Sequence, residues 1–152
     1  MEGEDMKIAL ASDHAGYNFK EELKKRLEKD GEKVKDFGCH SSESCDYPDF
    51  GIPATQSVAR GENERAILIC TNGIGMSMLA NKIPGIKAAL VYNKKVAEIT
   101  RKHHNPNVLC LGAQEFEWQD LFSFVKIWLT TDFEGGRHER RIKKVEELDN
   151  FK

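Results

Sequence analysis

The residues of this chain with the clearest chemical potential are a cysteine and the small-residue loop that follows it. Cys70 ends the apolar run at residues 66–69, and a helical pattern covers residues 76–82. The loop between them consists of Thr71, Asn72, Gly73, Ile74 and Gly75. Read as strand, tight loop and helix start, this order puts a thiol and several backbone N–H groups at a helix N-terminus. Such a place binds anions and favours a thiolate, which suits an enzyme with a phosphorylated or enolate-forming substrate. A plain turn beside a buried, inert cysteine fits the same pattern.

The elements that must position this loop alternate between strand and helix. Apolar runs predict strands at residues 7–11, 33–37, 66–70, 87–91 and 107–111. Helical periodicity and stop signals predict helices at about residues 15–30, 52–60, 76–82, 94–103, 118–128 and 137–148. This alternation predicts an α/β fold, a three-layer αβα sandwich with a five-stranded parallel Rossmann-like sheet and a C-terminal helix. We expect one domain over residues 1–152, with residues 1–6 as a disordered tail.

The ends of the predicted strands indicate where a ligand would bind. In such folds ligands bind outside the C-terminal ends of the strands. The first strand leads into Asp13 and His14, and the third ends at Cys70, so a carboxylate, an imidazole and a thiol should converge on one edge. The first strand-to-helix turn carries one glycine instead of a GxGxxG pattern, and no GxxxxGK[ST] motif occurs. Neither a dinucleotide nor a P-loop nucleotide is therefore expected.

Composition narrows the class of protein further. The chain has 152 residues, 39% of them hydrophobic, and a net charge of -2, which argues against general nucleic-acid binding. No apolar run approaches the roughly 20 residues of a membrane span, and the acidic N-terminus does not resemble a signal peptide. The 4 cysteines form no CxxC pair. We therefore expect a cytoplasmic protein that contacts neither nucleic acid nor membrane.

Five motifs, taken together, point to a known family. They are SDHAG at residues 12–16, DYPD at 46–49, the cysteine loop through ANK at 80–82, an HxNxNVLxLG-like run at 103–112, and GGRHERR at 135–141. In these motifs the chain resembles type B ribose-5-phosphate isomerases, whose family also contains galactose-6-phosphate isomerase subunits. The resemblance extends over about residues 7–148.

The resemblance implies a reaction and its catalytic residues. It implies aldose–ketose isomerisation of a phosphorylated sugar through an enediolate, without metal or other cofactor, with ribose 5-phosphate to ribulose 5-phosphate as the leading expectation. Cys70 matches the family's base, and His103 matches the histidine that helps to open the furanose ring. The loop with Thr71 and Asn72 would hold the developing oxyanion. From the residues alone, His103 could instead cap the end of a helix.

The resemblance also implies substrate contacts. The matching positions are Asp13, His14, Tyr47, Gly73, Ile74, Gly75, His104, Arg137 and Arg141. The two arginines, four residues apart on one helix face, match the family's phosphate clamp. Each assignment has a structural alternative: a helix cap for Asp13, packing for Tyr47, and a solvated charged face for the arginines. Because the family's active site lies at a dimer interface, we expect a homodimer or a dimer of dimers.

The chain departs from the family pattern at positions that bear on the sugar. Thr71 and Asn72 replace the usual residues of the loop, His104 replaces an asparagine that contacts the sugar, and Gln114 replaces an arginine. A four- or six-carbon sugar phosphate is thus an alternative substrate, and a non-catalytic sugar-phosphate binder is an alternative function. A metal enzyme that uses His103, His104 and His138 is disfavoured, because adjacent histidines cannot share one helix face.

Overall fold

A parallel sheet forms the centre of the molecule. The computed structural model describes residues 5–151. Its strands are β1 (Lys7–Ser12), β2 (Lys33–Asp36), β3 (Arg65–Cys70), β4 (Ala88–Leu90) and β5 (Val108–Gly112). They lie in the order β2-β1-β3-β5-β4, and every neighbouring pair is parallel. The predicted α/β fold with five parallel strands is confirmed.

Helices cover both faces of the sheet. They are α1 (Tyr17–Lys29), α2 (Pro48–Ala59), α3 (Ile74–Ala80), α4 (Lys94–His104), α5 (Trp118–Thr130) and α6 (Arg137–Glu146), followed by a 3-10 turn at Glu147–Phe151. Successive strand residues point to opposite faces, so the core divides in two. Ile8 and Leu10 pack with α1, α4 and α5, whereas Ala9 and Ala11 pack with α2 and α3. The three-layer arrangement is therefore the predicted one.

Several element boundaries differ from the prediction for local reasons. Helix α2 begins at Pro48 instead of residue 52, because proline is well suited to the first turn, where its missing N–H would have no helical partner. The C-terminal helix changes to a 3-10 turn after Glu146. Residues 1–4 of the expected N-terminal tail lie outside the described residues. Met6 packs against the core, and its carbonyl accepts a hydrogen bond from Lys33 N at 2.9 Å.

A buried lysine anchors the turn that follows β2. Lys20 is fully buried, and its Nζ lies 2.7 Å from both Asp36 Oδ2 and Glu21 Oε2. Asp36 Oδ1 also accepts a hydrogen bond from Gly38 N at 2.9 Å. Burial raises the pKa of Asp36, but the Lys20 and Gly38 hydrogen bonds and the charges of Lys20 and Lys24 outweigh it, so the net pKa is lowered. These contacts fix the turn to α1. Gly38 O also accepts a hydrogen bond from Ser12 N of β1.

No helix among residues 5–151 is both long and apolar enough to cross a bilayer.

Candidate active site

The loop after β3 has the strand, turn and helix order that the sequence predicts. Cys70 ends β3 and is 5% exposed. Asn72 Oδ1 accepts a hydrogen bond from Ile74 N at 3.0 Å, and Gly73 has a left-handed backbone with φ of 81° at the start of α3. A Cβ at Gly73 would lie 2.6 Å from Leu90 Cδ1. Glycine is therefore required there both for its backbone conformation and for lack of space.

The segment after β5 supports this loop from the side. Ala113 N donates to Cys70 O at 2.8 Å, and Gln114 N donates to Thr71 O at 3.2 Å. A Cβ at Gly112 would lie 2.7 Å from Asn72 Cα, so the two backbones touch. Gln114, one of the departures from the family pattern, thus adjoins the cysteine loop. The side chains of Thr71 and Asn72 are exposed to solvent.

The residues after β1 lie next to the cysteine loop. Asp13 N donates to Ile69 O at 3.1 Å, and Asp13 Oδ1 accepts Gly16 N at 3.0 Å, which stabilises the turn into α1. Asp13, which is 5% exposed, therefore has the helix-capping role that the sequence left open as an alternative. His14 Nδ1 accepts Cys45 N at 3.2 Å, so the neutral ring carries its proton on Nε2.

Tyr47 completes this group from the start of α2. Its ring lies against Gly75, because a Cβ there would be 2.6 Å from Tyr47 Cζ and 2.8 Å from its hydroxyl oxygen. The side chain is 37% exposed, so packing and contact with a ligand are both open to it. Helix α3 begins at Ile74 instead of residue 76, so the loop itself is residues 71–73. We call Asp13, His14, Tyr47, Cys70 and residues 71–75 the thiol cluster. The expected convergence at the C-terminal edge of the sheet is present.

A second group forms around the end of α4. The rings of His103 and His138 are stacked, with centroids 4.1 Å apart and planes 10° apart. Glu134 Oε1 lies 3.5 Å from His138 Nε2 and 4.0 Å from His103 Nε2. Arg137 and Arg141 occupy the same helix as His138. We call these five residues the histidine cluster.

The electrostatics of the histidine cluster favour an anion. His138 is 7% exposed, and its buried Nε2 has no hydrogen-bond partner among the described residues. Burial lowers the pKa of His138, and the charges of His103, Arg137 and Arg141 lower it further against the opposing effect of Glu134. The two arginines are exposed and face solvent beside this ring. A phosphate beside the two arginines would meet two cationic groups, opposed by the single carboxylate of Glu134.

The same cluster is the group that could hold a metal ion within residues 5–151. One ligand atom each from His103, Glu134 and His138 lies within 4.8 Å of the others. The metal site considered from the sequence would instead consist of His103, His104 and His138. A metal ion bound by an imidazole nitrogen lies close to the plane of that ring, and two stacked, nearly parallel rings have no such point in common. Two arginine charges also oppose a cation, so the geometry fits an anion better.

Within one chain, the thiol cluster lies at the C-terminal ends of the strands and the histidine cluster at their N-terminal ends. Cys70 is paired with Gly112 at the C-terminal end of β5, whereas Ala66 is paired with Val108 at its start. His103 lies near the end of α4, before the start of β5. In the same helix, Arg101 donates a hydrogen bond to the carbonyl of Pro106. Four residue steps of strand separate the edges by about 13 Å. Within a single chain, the structure therefore does not bring His103 to Cys70.

His104 lies on a different side of α4 from His103. It lines an open, mainly apolar groove of about 780 Å³ between the β4 edge, α4 and α6, with Tyr92, Val96 and Ile142 among its walls. The sequence correctly distinguished the two histidines by helix face. Its ring nevertheless meets that of His103 edge-on, with centroids 6.1 Å apart.

Two contributions to the site were missed by the sequence analysis. Glu134, which approaches both histidine rings, belongs to no motif that we singled out; its only signal was the i, i+4 spacing to His138. The Cys45 N–H that holds His14 comes from a loop residue 31 positions away. A main-chain donor carries no side-chain signature, so no sequence pattern could have indicated it.

Comparison with known proteins adds an independent line of evidence. The sequence profile of a family described as Ribose/Galactose Isomerase matches residues 8–145. Ribose-5-phosphate isomerase B of Escherichia coli is 36% identical over 143 residues, which is 94% of this chain and 96% of that protein.

Two solved structures share the whole fold. Ribose-5-phosphate isomerase B of Clostridium thermocellum superposes with a TM-score of 0.93 at 44% identity, covering 96% of this chain and 99% of the other. The Mycoplasma genitalium ribose-5-phosphate isomerase B with bound ribulose-5-phosphate has a TM-score of 0.93 at 36% identity, with 96% and 97% covered.

Proposed function

This chain belongs to the ribose/galactose isomerase family, and from that premise we propose that it interconverts ribose 5-phosphate and ribulose 5-phosphate. The observation that carries the proposal is the thiol cluster, in which Cys70 lies beside Asp13, His14 and Tyr47 at the ligand edge of the sheet. The substrate follows from relatives named as ribose-5-phosphate isomerases, one of them solved with ribulose-5-phosphate. The coarser function, isomerisation of a sugar phosphate, is common to this family.

The proposed chemistry assigns the proton transfer between C2 and C1 to Cys70. Isomerisation moves one proton from C2 to C1 of the open-chain sugar and another from the C2 hydroxyl to the C1 oxygen. The Cys70 thiolate removes the C2 proton and returns it to C1, so that an enediolate forms between the two steps. The loop N–H groups stabilise its oxyanion, except that of Ile74, which already binds Asn72 Oδ1.

The histidine cluster has the groups that the rest of the reaction needs. His103 transfers a proton to the ring oxygen and so opens the furanose. Arg137 and Arg141 bind the phosphate through charge-assisted hydrogen bonds. None of these steps requires a metal ion.

We further infer that the active site is shared between two copies of the chain. A base and its partner must act on one small substrate, but the two clusters are about 13 Å apart along the strands. Large apolar side chains also surround the thiol cluster in the free chain: Tyr47, Ile52, Ile74 and Met78 are 37%, 38%, 50% and 61% exposed. A second copy that brings its histidine cluster against this edge would cover them and complete the site.

The direct test is a substrate panel assayed for ketose formation. Erythrose 4-phosphate, ribose 5-phosphate and galactose 6-phosphate are each incubated with the enzyme in the presence of a chelator. We expect the highest kcat/KM with ribose 5-phosphate and no loss on chelation. A higher kcat/KM with another sugar phosphate would make that sugar the proposed substrate. The departures from the family pattern at Thr71, His104 and Gln114 are compatible with such a result. Binding of all three without turnover would show a sugar-phosphate binder instead of an enzyme.

A further inference from the structure

Two cysteines outside the proposed chemistry lie at the two ends of one loop. Cys39 and Cys45 delimit residues 39–45, between β2 and α2, and both are free thiols. Cys39 N donates to Ser12 O at 2.9 Å, and its Sγ lies 3.8 Å from Ser12 Oγ. Cys45 N donates to His14 Nδ1 at 3.2 Å, and its Sγ lies 3.8 Å from the same nitrogen. Both ends of the loop are therefore attached to the end of β1.

This attachment brings the two thiols together. Their partners Ser12 and His14 are two residues apart, so these anchors are at most about 7 Å from each other. The Cα atoms of a disulfide are usually about 4.4–6.8 Å apart, so closure needs a small shift of the 39–45 loop. Burial raises the pKa of the Cys45 thiol, and the charge and side-chain hydrogen bond of Cys39 raise it further. Cys39 Sγ donates to Ser41 O at 3.2 Å, a bond that it must leave to reach Cys45. Cys39 is 3% exposed, but Cys45 is half-buried and can be reached from solvent.

We propose that Cys39 and Cys45 are a redox modification site that closes the 39–45 loop with a reversible disulfide beside the thiol cluster. The oxidant is a small-molecule disulfide. The Cys45 thiolate attacks it and expels one thiol, and the Cys39 thiolate then attacks the mixed disulfide at Cys45 and expels the second. The two cysteine protons end on the two released thiols, so the protein loses two hydrogens and two electrons while the oxidant gains them.

The disulfide acts on substrate binding through His14. Cys45 Sγ must turn from His14 Nδ1 toward Cys39, and the Cys45 N–H that holds the imidazole moves with it. Loss of this hydrogen bond weakens the hold of His14 on the sugar phosphate and leaves Cys70 chemistry intact. Formation of the disulfide is independent of the proposed function, whereas its effect on KM rests on that function.

The test exposes the reduced full-length protein to oxidised glutathione at mildly alkaline pH, because the raised pKa of Cys45 slows the exchange at neutral pH. Remaining thiols are alkylated, and peptides are mapped by mass spectrometry. We expect a Cys39–Cys45 cross-link with Cys70 and Cys110 alkylated, and a Tm about 5 °C higher from closure of a short loop. Glutathione that stays bound to Cys45, a cross-link to another cysteine, or an unreacted pair would overturn the proposal.

Kinetics separate the two halves of the inference. In the wild type, oxidation should raise KM for ribose 5-phosphate about three- to tenfold with little change in kcat, and a reductant should reverse it. The Cys45→Ser variant cannot make the first attack, and Cys39 is buried, so its KM should not respond to the same treatment, which controls for oxidation of Cys70. A cross-link without a change in KM would refute the link to His14. Lack of turnover in the reduced protein would count against the proposed function and leave the cross-link standing.

Discussion

Subunit complementation tests the shared active site most sharply. The Cys70→Ala variant lacks the proposed base, and the His103→Ala variant lacks the proposed ring-opening group, so each homodimer should have little activity. If Cys70 of one copy works with His103 of its partner, a mixed dimer contains one site with both groups and one site with neither. Random exchange of equal amounts makes half of the dimers mixed. Half of their sites are intact, so about a quarter of the wild-type activity should return.

The assay mixes the two purified variants under conditions that allow subunits to exchange and follows ribulose 5-phosphate formation over time. Each variant alone and the mixture at zero time are the controls. If each site were built within one chain, every site would lack one group at any mixing ratio, and no activity would return. That result would refute the argument from the two sheet edges, because Cys70 at the end of β3 and His103 before β5 would then have to meet by a rearrangement of the fold.

Three further predictions follow from individual contacts. Cys70→Ala should abolish turnover yet retain substrate binding by calorimetry; wild-type turnover would exclude the thiol as base. Arg141→Ala should raise KM for the sugar phosphate by about 10- to 100-fold but spare unphosphorylated ribose, whereas Arg140→Ala, beside Lys143 and Lys144 on another face, should change little. Lys20→Met should lower the free energy of unfolding by about 2 kcal/mol, because Asp36 loses its charged hydrogen-bond donor and keeps only Lys24 at 3.8 Å. The folded pKa of Asp36 is lowered, so its contribution to stability is present above the unfolded pKa of about 4 and is lost as the pH falls through the folded value. Chemical denaturation should detect this loss in the wild type and a smaller loss in the variant.

The order of strands and helices could be predicted because it depends on local patterns. Apolar runs and helical periodicity are properties of neighbouring residues, and each predicted strand overlaps an observed one. The boundaries were less predictable where two local signals compete. Pro48 signals a turn as well as the first turn of a helix, and α2 begins there because the following residues pack on β1 and β3.

The cysteine loop was predictable in its conformation as well as its position. Gly73 follows a buried strand, and the left-handed backbone that it adopts is the one that only glycine takes at little cost. The sequence could not show why Gly112 and Gly75 are needed. Both make room for a distant segment, Asn72 in one case and the Tyr47 ring in the other.

By itself, the sequence determined the α/β class, the thiol at the ligand edge of the sheet, and the resemblance that indicates a sugar-phosphate isomerase. Only the tertiary structure decided which candidate groups meet. It put Asp13 against the end of β3 and the Tyr47 ring against Gly75, stacked His103 on His138, and separated the two clusters by the length of β5. The physical reason is that sequence patterns report the preferences of nearby residues, whereas contacts between distant segments depend on how helices run back along a parallel sheet. A strand and the helix before it run in opposite directions, and that alone places His103 and Cys70 at opposite edges.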